Sequence, residues 1–294
     1  MNRLAALQLD RRLTPARPDL ADERLRGRVQ AERYTAGRPM RVSASSAPLR
    51  REPRPDAPLD TEALMGEAVT VYDENEGWAW VQLHGDGYVG YLPREALHAD
   101  TPEPTHRVAA LRTFIYPGPN LKLPPSGFLT AGAAVTVDGD SGNYARLAPG
   151  GFIFAGHLAT MDSHETDFVT FAERLIGVPY LWGGKTSLGL DCSGLIQLSL
   201  AAAGILAPRD TDMQQAVLGE AIEITPELTG LRRGDLIFWK GHVGVMRDGE
   251  HLLHANGHHM AVEAEPLKGA VERIERKEFG SITAIKRLPA LGAQ

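Results

Sequence analysis

Tyr180-Leu181-Trp182-Gly183-Gly184, then Asp191-Cys192-Ser193-Gly194 opening an apolar run to Ala203-Gly204, is the stretch on which the fold turns. The first five residues read as a loop. Asp191 has the side chain of a helix N-cap, and Cys192–Ala203 reads as a buried helix stopped at Gly204. Cys192 then stands in a first helical turn, where unpaired N–H groups and the helix dipole favour a thiolate. Taken alone, a single cysteine is more often a small buried hydrophobe. A core cysteine has no need of that position.

A nucleophilic thiol needs a base within hydrogen-bond reach, and the base needs a third group to orient it. Downstream, Asp235–Trp239, His242–Met246 and His251–Ala255 read as successive antiparallel strands, and Ile282–Leu288 as a last strand closing the sheet. His242 and His254 flank Arg247-Asp248-Gly249. A three-residue loop there, with Gly249 left-handed, sets His242 directly opposite His254; a two-residue Asp248-Gly249 loop would put them on opposite faces. Upstream, Thr166–Ile176 carries apolar residues at helical spacing and is stopped by Gly177-Val178-Pro179.

These pieces carry a family resemblance. Asp191-Cys192-Ser193-Gly194, Arg233-Gly234-Asp235-Leu236-Ile237-Phe238, His242-Val243-Gly244-Val245 and Leu253-His254-Ala255, with Pro208-Arg209-Asp210 and Gln214 between, together resemble the NlpC/P60 papain-like cysteine peptidases over about 163–288. The resemblance implies an α+β catalytic domain, helices packed on an antiparallel sheet, with Cys192 as nucleophile, His242 as general base and His254 orienting His242. It also implies that Tyr180 helps to bind the oxyanion, beside the Cys192 backbone N–H; packing is the alternative for Tyr180. A carboxylate beside the nucleophile raises its pKa, so Asp191 is expected to point away from the thiol. Asp191 and Ser193 divide between helix capping and binding a free substrate amine.

The 294 residues exceed one ordinary compact unit. Residues 1–37 read as a lead-in that packs on something else, with a weak helical stretch at Asp19–Arg33. From about Pro39 the pattern changes to short alternating strands separated by Asn, Gly and Asp turns. Val69-Thr70-Val71, Trp80 and Gly87–Leu92 are echoed by Val135-Thr136-Val137, Tyr144 and Gly151–Leu158. Two small β-barrels resembling bacterial SH3 modules are expected, at 38–100 and 101–161, ahead of a peptidase domain at 162–294.

Peptidases of this family with leading SH3-like modules resemble the γ-D-glutamyl-L-diamino-acid endopeptidases, which trim short murein peptides. The resemblance implies a substrate with a free L-Ala-γ-D-Glu end, cut between D-Glu and the diamino acid. Tyr88, and Glu67 as a second carboxylate for the amine, are the candidates from the first module; ordinary barrel positions are the alternative for both.

Asp and Glu total 37 against 31 Lys and Arg, without a run of like charge, so a nucleic-acid partner is not expected. No apolar stretch is long enough for a membrane partner. One cysteine among 294 residues permits no internal disulfide, and Asp10-Arg11-Arg12 interrupts any signal-like core, so a cytoplasmic location is expected. No cofactor or metal is expected, because Asn256-Gly257 breaks the helix that would bring His254 and His258 to one face. A secreted hydrolase of intact wall and a non-catalytic wall-peptide binder are the competing readings.

Overall fold

The computed structural model describes residues 9–99 and 102–289, which divide at 101/102 into two compact units. The first unit holds a seven-stranded antiparallel sheet, ordered Leu59–Leu64, Ser46–Arg50, Val89–Pro93, Trp78–Leu83, Ala68–Asn75, Arg38–Val42 and Leu97–His98. Alternation explains it: Val69, Val71, Val81, Leu83 and Leu92 point to one interior with Met40 and Leu49. The segment ahead of the barrel is not helical. Within Asp19–Arg33 the strand Leu20–Asp22 leads into a 3-10 turn at Glu23–Leu25, and Leu20 pairs in parallel with Arg33. This lead-in packs on the barrel that follows it: Leu20 lies against Tyr72 and Trp80, and the buried Asp22 accepts the Tyr72 hydroxyl at 2.7 Å.

The second unit begins with a five-stranded sheet ordered Phe152–Phe154, Tyr144–Ala148, Ala134–Ser141, His106–Val108 and Leu158–Thr160, accompanied by the hairpin Arg112–Ile115/Gly127–Thr130. The sequence echo has a structural counterpart. Ala68–Asn75 is bulged between Val71 and Asp73, Ala134–Ser141 between Val137 and Gly139, and each sheet's last hairpin runs into a 3-10 turn. Ala131 enters the core of the α+β part behind it, and Ser187 Oγ donates to the Leu111 carbonyl.

That α+β part is a six-stranded antiparallel sheet with helices on both faces. Its order is Glu220–Ile222, Ala284–Arg287, Leu236–Trp239, His242–Met246, His251–Asn256 and Ala261–Pro266. The chain's last strand therefore lies inside the sheet, between Glu220–Ile222 and Leu236–Trp239, rather than closing it. One face packs on helices α1 (Phe168–Arg174) and α2 (Cys192–Ala202) through Phe238, Val243, Val245, Leu253 and Val262. A short helix α3 (Thr211–Val217) follows α2. The other face carries Ile237, Trp239, Met246 and Leu252 against helix α4 (Leu267–Lys277), whose Leu267, Ala270 and Ile274 recur at helical spacing. Among the described residues no helix is long and apolar enough to cross a membrane.

Candidate active site

Helix α2 begins where the sequence places it. Asp191 caps it, Oδ1 accepting the Gly194 N–H at 2.7 Å. Position 194 admits only glycine, because a Cβ there would lie 2.2 Å from the Gly184 carbonyl oxygen. The same Asp191 carboxylate accepts the Gly183 N–H at 2.9 Å, tying the Gly-Gly loop to the residue before Cys192.

Arg209 closes this arrangement. It is 1 % exposed and meets Asp191 twice, at 2.9 and 2.6 Å, while also donating to Ser193 Oγ at 2.9 Å. Capping and charge pairing are thus the roles that Asp191's contacts display, and Ser193 serves the same pair, donating to Asp191 at 3.3 Å. Sequence reasoning quoted Arg209 without assigning it a role. Its signal was its place in Pro208-Arg209-Asp210, two residues ahead of the start of α3.

Cys192 Sγ lies 3.8 Å from Thr211 Oγ1, the first residue of α3, and the backbone N–H of Val243, the residue directly after His242, favours its ionised form. Burial, then the charge of Asp191, pushes the thiol up to about 11; Thr211, the Val243 N–H and Arg209 oppose them incompletely. The expected gain from the helix terminus is therefore outweighed. A helix end contributes about 1 kcal/mol, less than one pKa unit, against desolvation of a fully buried thiol.

The two histidines meet, with His242 Nε2 2.8 Å from His254 Nδ1, but by a different register from the one expected. Val245 pairs with Leu253 and Met246 with Leu252, so the loop is Asp248-Gly249-Glu250 and Gly249 is not left-handed. Asp248 sets this loop, its Oδ1 accepting the N–H groups of Glu250 and His251 at 2.8 Å each. His254 then faces Gly244, where a Cβ would lie 3.1 Å from its own, and the rings meet diagonally. The shift is an even number of residues, so both side chains stay on one face.

Around the candidate base, His242 stacks flat on Phe279 at 5.0 Å and tilts against Trp239 at 5.7 Å. Burial, then the neighbouring His254 and Arg273, holds its pKa well below the ordinary value, and burial lowers that of His254. Both rings are neutral. Beyond them, His254 Nε2 lies 2.8 Å from Glu265 Oε1, and Arg273 grips that carboxylate with two nitrogens at 2.6 and 2.7 Å. Neither Glu265 nor Arg273 was foreseen. Glu265 sits on a strand whose start the sequence does not mark, and Arg273 on α4 beside the apolar positions that pack on the sheet.

Tyr180 is half-buried, and its N–H donates to the Met260 carbonyl at 2.9 Å. Among the described residues its hydroxyl has no hydrogen-bond partner. Burial and the charges of Cys192 and Asp191 raise its pKa, keeping it a protonated donor near the thiol. Tyr88 and Glu67 belong to the first unit. Tyr88 packs in that barrel's core with its N–H on Asp86 at 3.0 Å, and Glu67 accepts the Leu64 N–H at 3.1 Å.

Comparison with known proteins places this geometry. Residues 177–274 match the NlpC/P60 family, and residues 49–97 match a domain described as the bacterial dipeptidyl-peptidase SH3 domain. The γ-D-glutamyl-L-lysine dipeptidyl-peptidase of Bacillus cereus is 28 % identical over 241 residues, 71 % of this chain and 71 % of that protein. The enzyme of the same name from Bacillus subtilis is 25 % identical over 248 residues, 77 % of this chain and 81 % of that one. In fold, the chain is similar to the solved structure of an NlpC/P60 family protein from Bacillus cereus, with a TM-score of 0.70 at 21 % identity, covering 86 % of this chain and 99 % of that one.

Proposed function

For a chain that carries an NlpC/P60 domain behind a bacterial SH3 domain, we propose a cysteine endopeptidase that hydrolyses the γ-D-glutamyl–diamino-acid bond of short murein peptides with a free N-terminal L-Ala. The observation that carries this reading is the convergence of Cys192, at the head of α2, on the strand that begins with His242, itself hydrogen-bonded to His254.

The chemistry follows from the neutral resting pair. Substrate binding brings the γ-carbonyl carbon to Cys192 Sγ as the thiol proton passes to His242 Nδ1, the ring nitrogen not engaged with His254. Negative charge on the carbonyl oxygen is taken by the Tyr180 hydroxyl and the Cys192 N–H. Collapse breaks the C–N bond, the proton on His242 goes to the departing amine, and a thioester to the D-Glu γ-carboxyl remains. Water, losing a proton to His242, then releases L-Ala-D-Glu and the free thiol.

Within the second unit, Asp191 and Ser193 are the candidates for holding the free L-Ala end. Asp191 would do so while already accepting from Gly183, Ser193, Gly194 and Arg209. Names of relatives, which specify a γ-D-glutamyl-L-lysine bond, support the bond class. A lone thiol nucleophile suits the reducing cytoplasm, where recycling of released wall peptides would occur.

The test is mass spectrometry of L-Ala-γ-D-Glu-meso-diaminopimelate, and of its L-lysine counterpart, with the native protein and Cys192→Ala in parallel. Release of L-Ala-D-Glu by the native protein alone is expected. Intact tripeptides in every arm would remove the proposal, and equal turnover of an N-acetylated tripeptide would remove its free-amine requirement.

A further inference from the structure

A histidine in third place leaves the base undetermined, because an imidazole can donate or accept at either nitrogen. If His254 Nδ1 carries the proton, it donates to His242 Nε2, and His242 then holds its own proton on Nδ1. Such a ring has no lone pair for the thiol proton. If His254 Nδ1 is bare, His242 Nε2–H donates to it, and His242 Nδ1 is free to act as base. The 2.8 Å contact between the rings fits both states equally.

The next contact resolves the choice. Glu265 Oε1 lies 2.8 Å from His254 Nε2. An ionised carboxylate only accepts, so Nε2 must carry the His254 proton and Nδ1 must be bare. Glu265 is kept ionised despite its burial: hydrogen bonds from His254 and the two-nitrogen grip of Arg273 hold its carboxyl well below the usual range. Arg273 is in turn fixed by α4 and by Glu278, whose Oε1 lies 3.2 Å from Nε.

We propose that Glu265, clamped by Arg273, is a positioning residue that sets the tautomers of His254 and His242 together, so that His242 Nδ1, the nitrogen not engaged with His254, is left unprotonated. Glu265 touches neither thiol nor substrate; it acts through His254. The inference rests on His242 being the base, and its consequence for the ring protons holds in the resting protein with no substrate present.

The experiment is ring-nitrogen NMR on the full-length protein with 15N-labelled histidine, at pH 7.5, with steady-state kinetics on the tripeptide in parallel. In the native protein, protonated Nε2 and bare Nδ1 are expected on both His242 and His254, assigned with the His242→Gln and His254→Gln variants. A protonated Nδ1 on His254 would overturn the proposal whether or not any variant folds. In Glu265→Gln, whose amide can donate as well as accept, a mixture of tautomers is expected. There kcat should fall by about 10-fold or more, up to the roughly 10,000-fold associated with a wrong imidazole tautomer, while KM changes less than about two-fold. Native ring signals with native kcat in that variant would overturn it. Failure of the native protein to cleave the tripeptide would count against the proposed function and leave the NMR result standing.

Discussion

Arg209 and Asp191 meet edge to edge, Nη1 at 2.9 Å from Oδ1 and Nη2 at 2.6 Å from Oδ2, with the arginine side chain 1 % exposed. The pair lies directly beside Cys192, since Asp191 precedes it and caps its helix. Removing the guanidinium strands a buried carboxylate next to the thiol. Arg209→Met is therefore expected to cost about 3–5 kcal/mol of stability. Arg209→Lys should recover only part of it, because an ammonium cannot reproduce the two parallel bonds. Urea unfolding measures both, and a native midpoint for Arg209→Met would refute the account.

Thiol reactivity gives a second test. With Cys192 pushed up to about 11 by burial and Asp191, and with His242 held neutral, the resting site contains no thiolate–imidazolium pair. The rate of alkylation by iodoacetamide should climb steadily between pH 7 and 10. A rate already level below pH 7 would reveal an ion pair at rest and contradict the neutral site.

Tyr180 can be separated from the packing alternative by its hydroxyl alone. Tyr180→Phe keeps the ring and removes the hydroxyl proposed to bind the oxyanion. We expect kcat to fall roughly 10- to 100-fold at near-constant KM, somewhat below the loss associated with a backbone-quality donor because the Cys192 N–H remains. Unchanged kcat would assign Tyr180 to packing.

Stability should also depend on acid. His242 and His254 are both lowered from 6.5, burial being the leading cause, so the unfolded chain binds protons that the native fold excludes. Their contribution is complete above 6.5 and declines as pH falls below it, at up to about 1.4 kcal/mol per pH unit for each ring. Glu265, lowered from 4.5, adds a further loss once pH drops below that value. Unfolding midpoints between pH 7.5 and 5.5 should show the fall, and His254→Gln should make it shallower. Identical slopes in the two proteins would disprove it.

Where the sequence was legible, short-range pattern carried the information. Asp191 ahead of an apolar run marked the start of α2, and the strand His242–Met246 falls on the residues read for it. The even spacing of His242 and His254 gave the shared face correctly while the loop register was off by one position. Asp248 decided that register through two backbone hydrogen bonds, a preference that competes with the glycine signal at 249. Asp19–Arg33 read as a helix and folded as strand and 3-10 turn, because Leu20 and Asp22 are claimed by Trp80 and Tyr72 of the barrel.

By itself, then, the sequence determined that Cys192 heads a capped helix and that His242 and His254 share one face of the sheet, since capping and periodicity act between neighbours along the chain. Only the tertiary structure decided the protonation state of Cys192, the role of Arg209, and the recruitment of Glu265 and Arg273 behind the histidines. Those depend on how much water is excluded and on which charges meet through space. Residues more than ten positions apart carry no local mark of either.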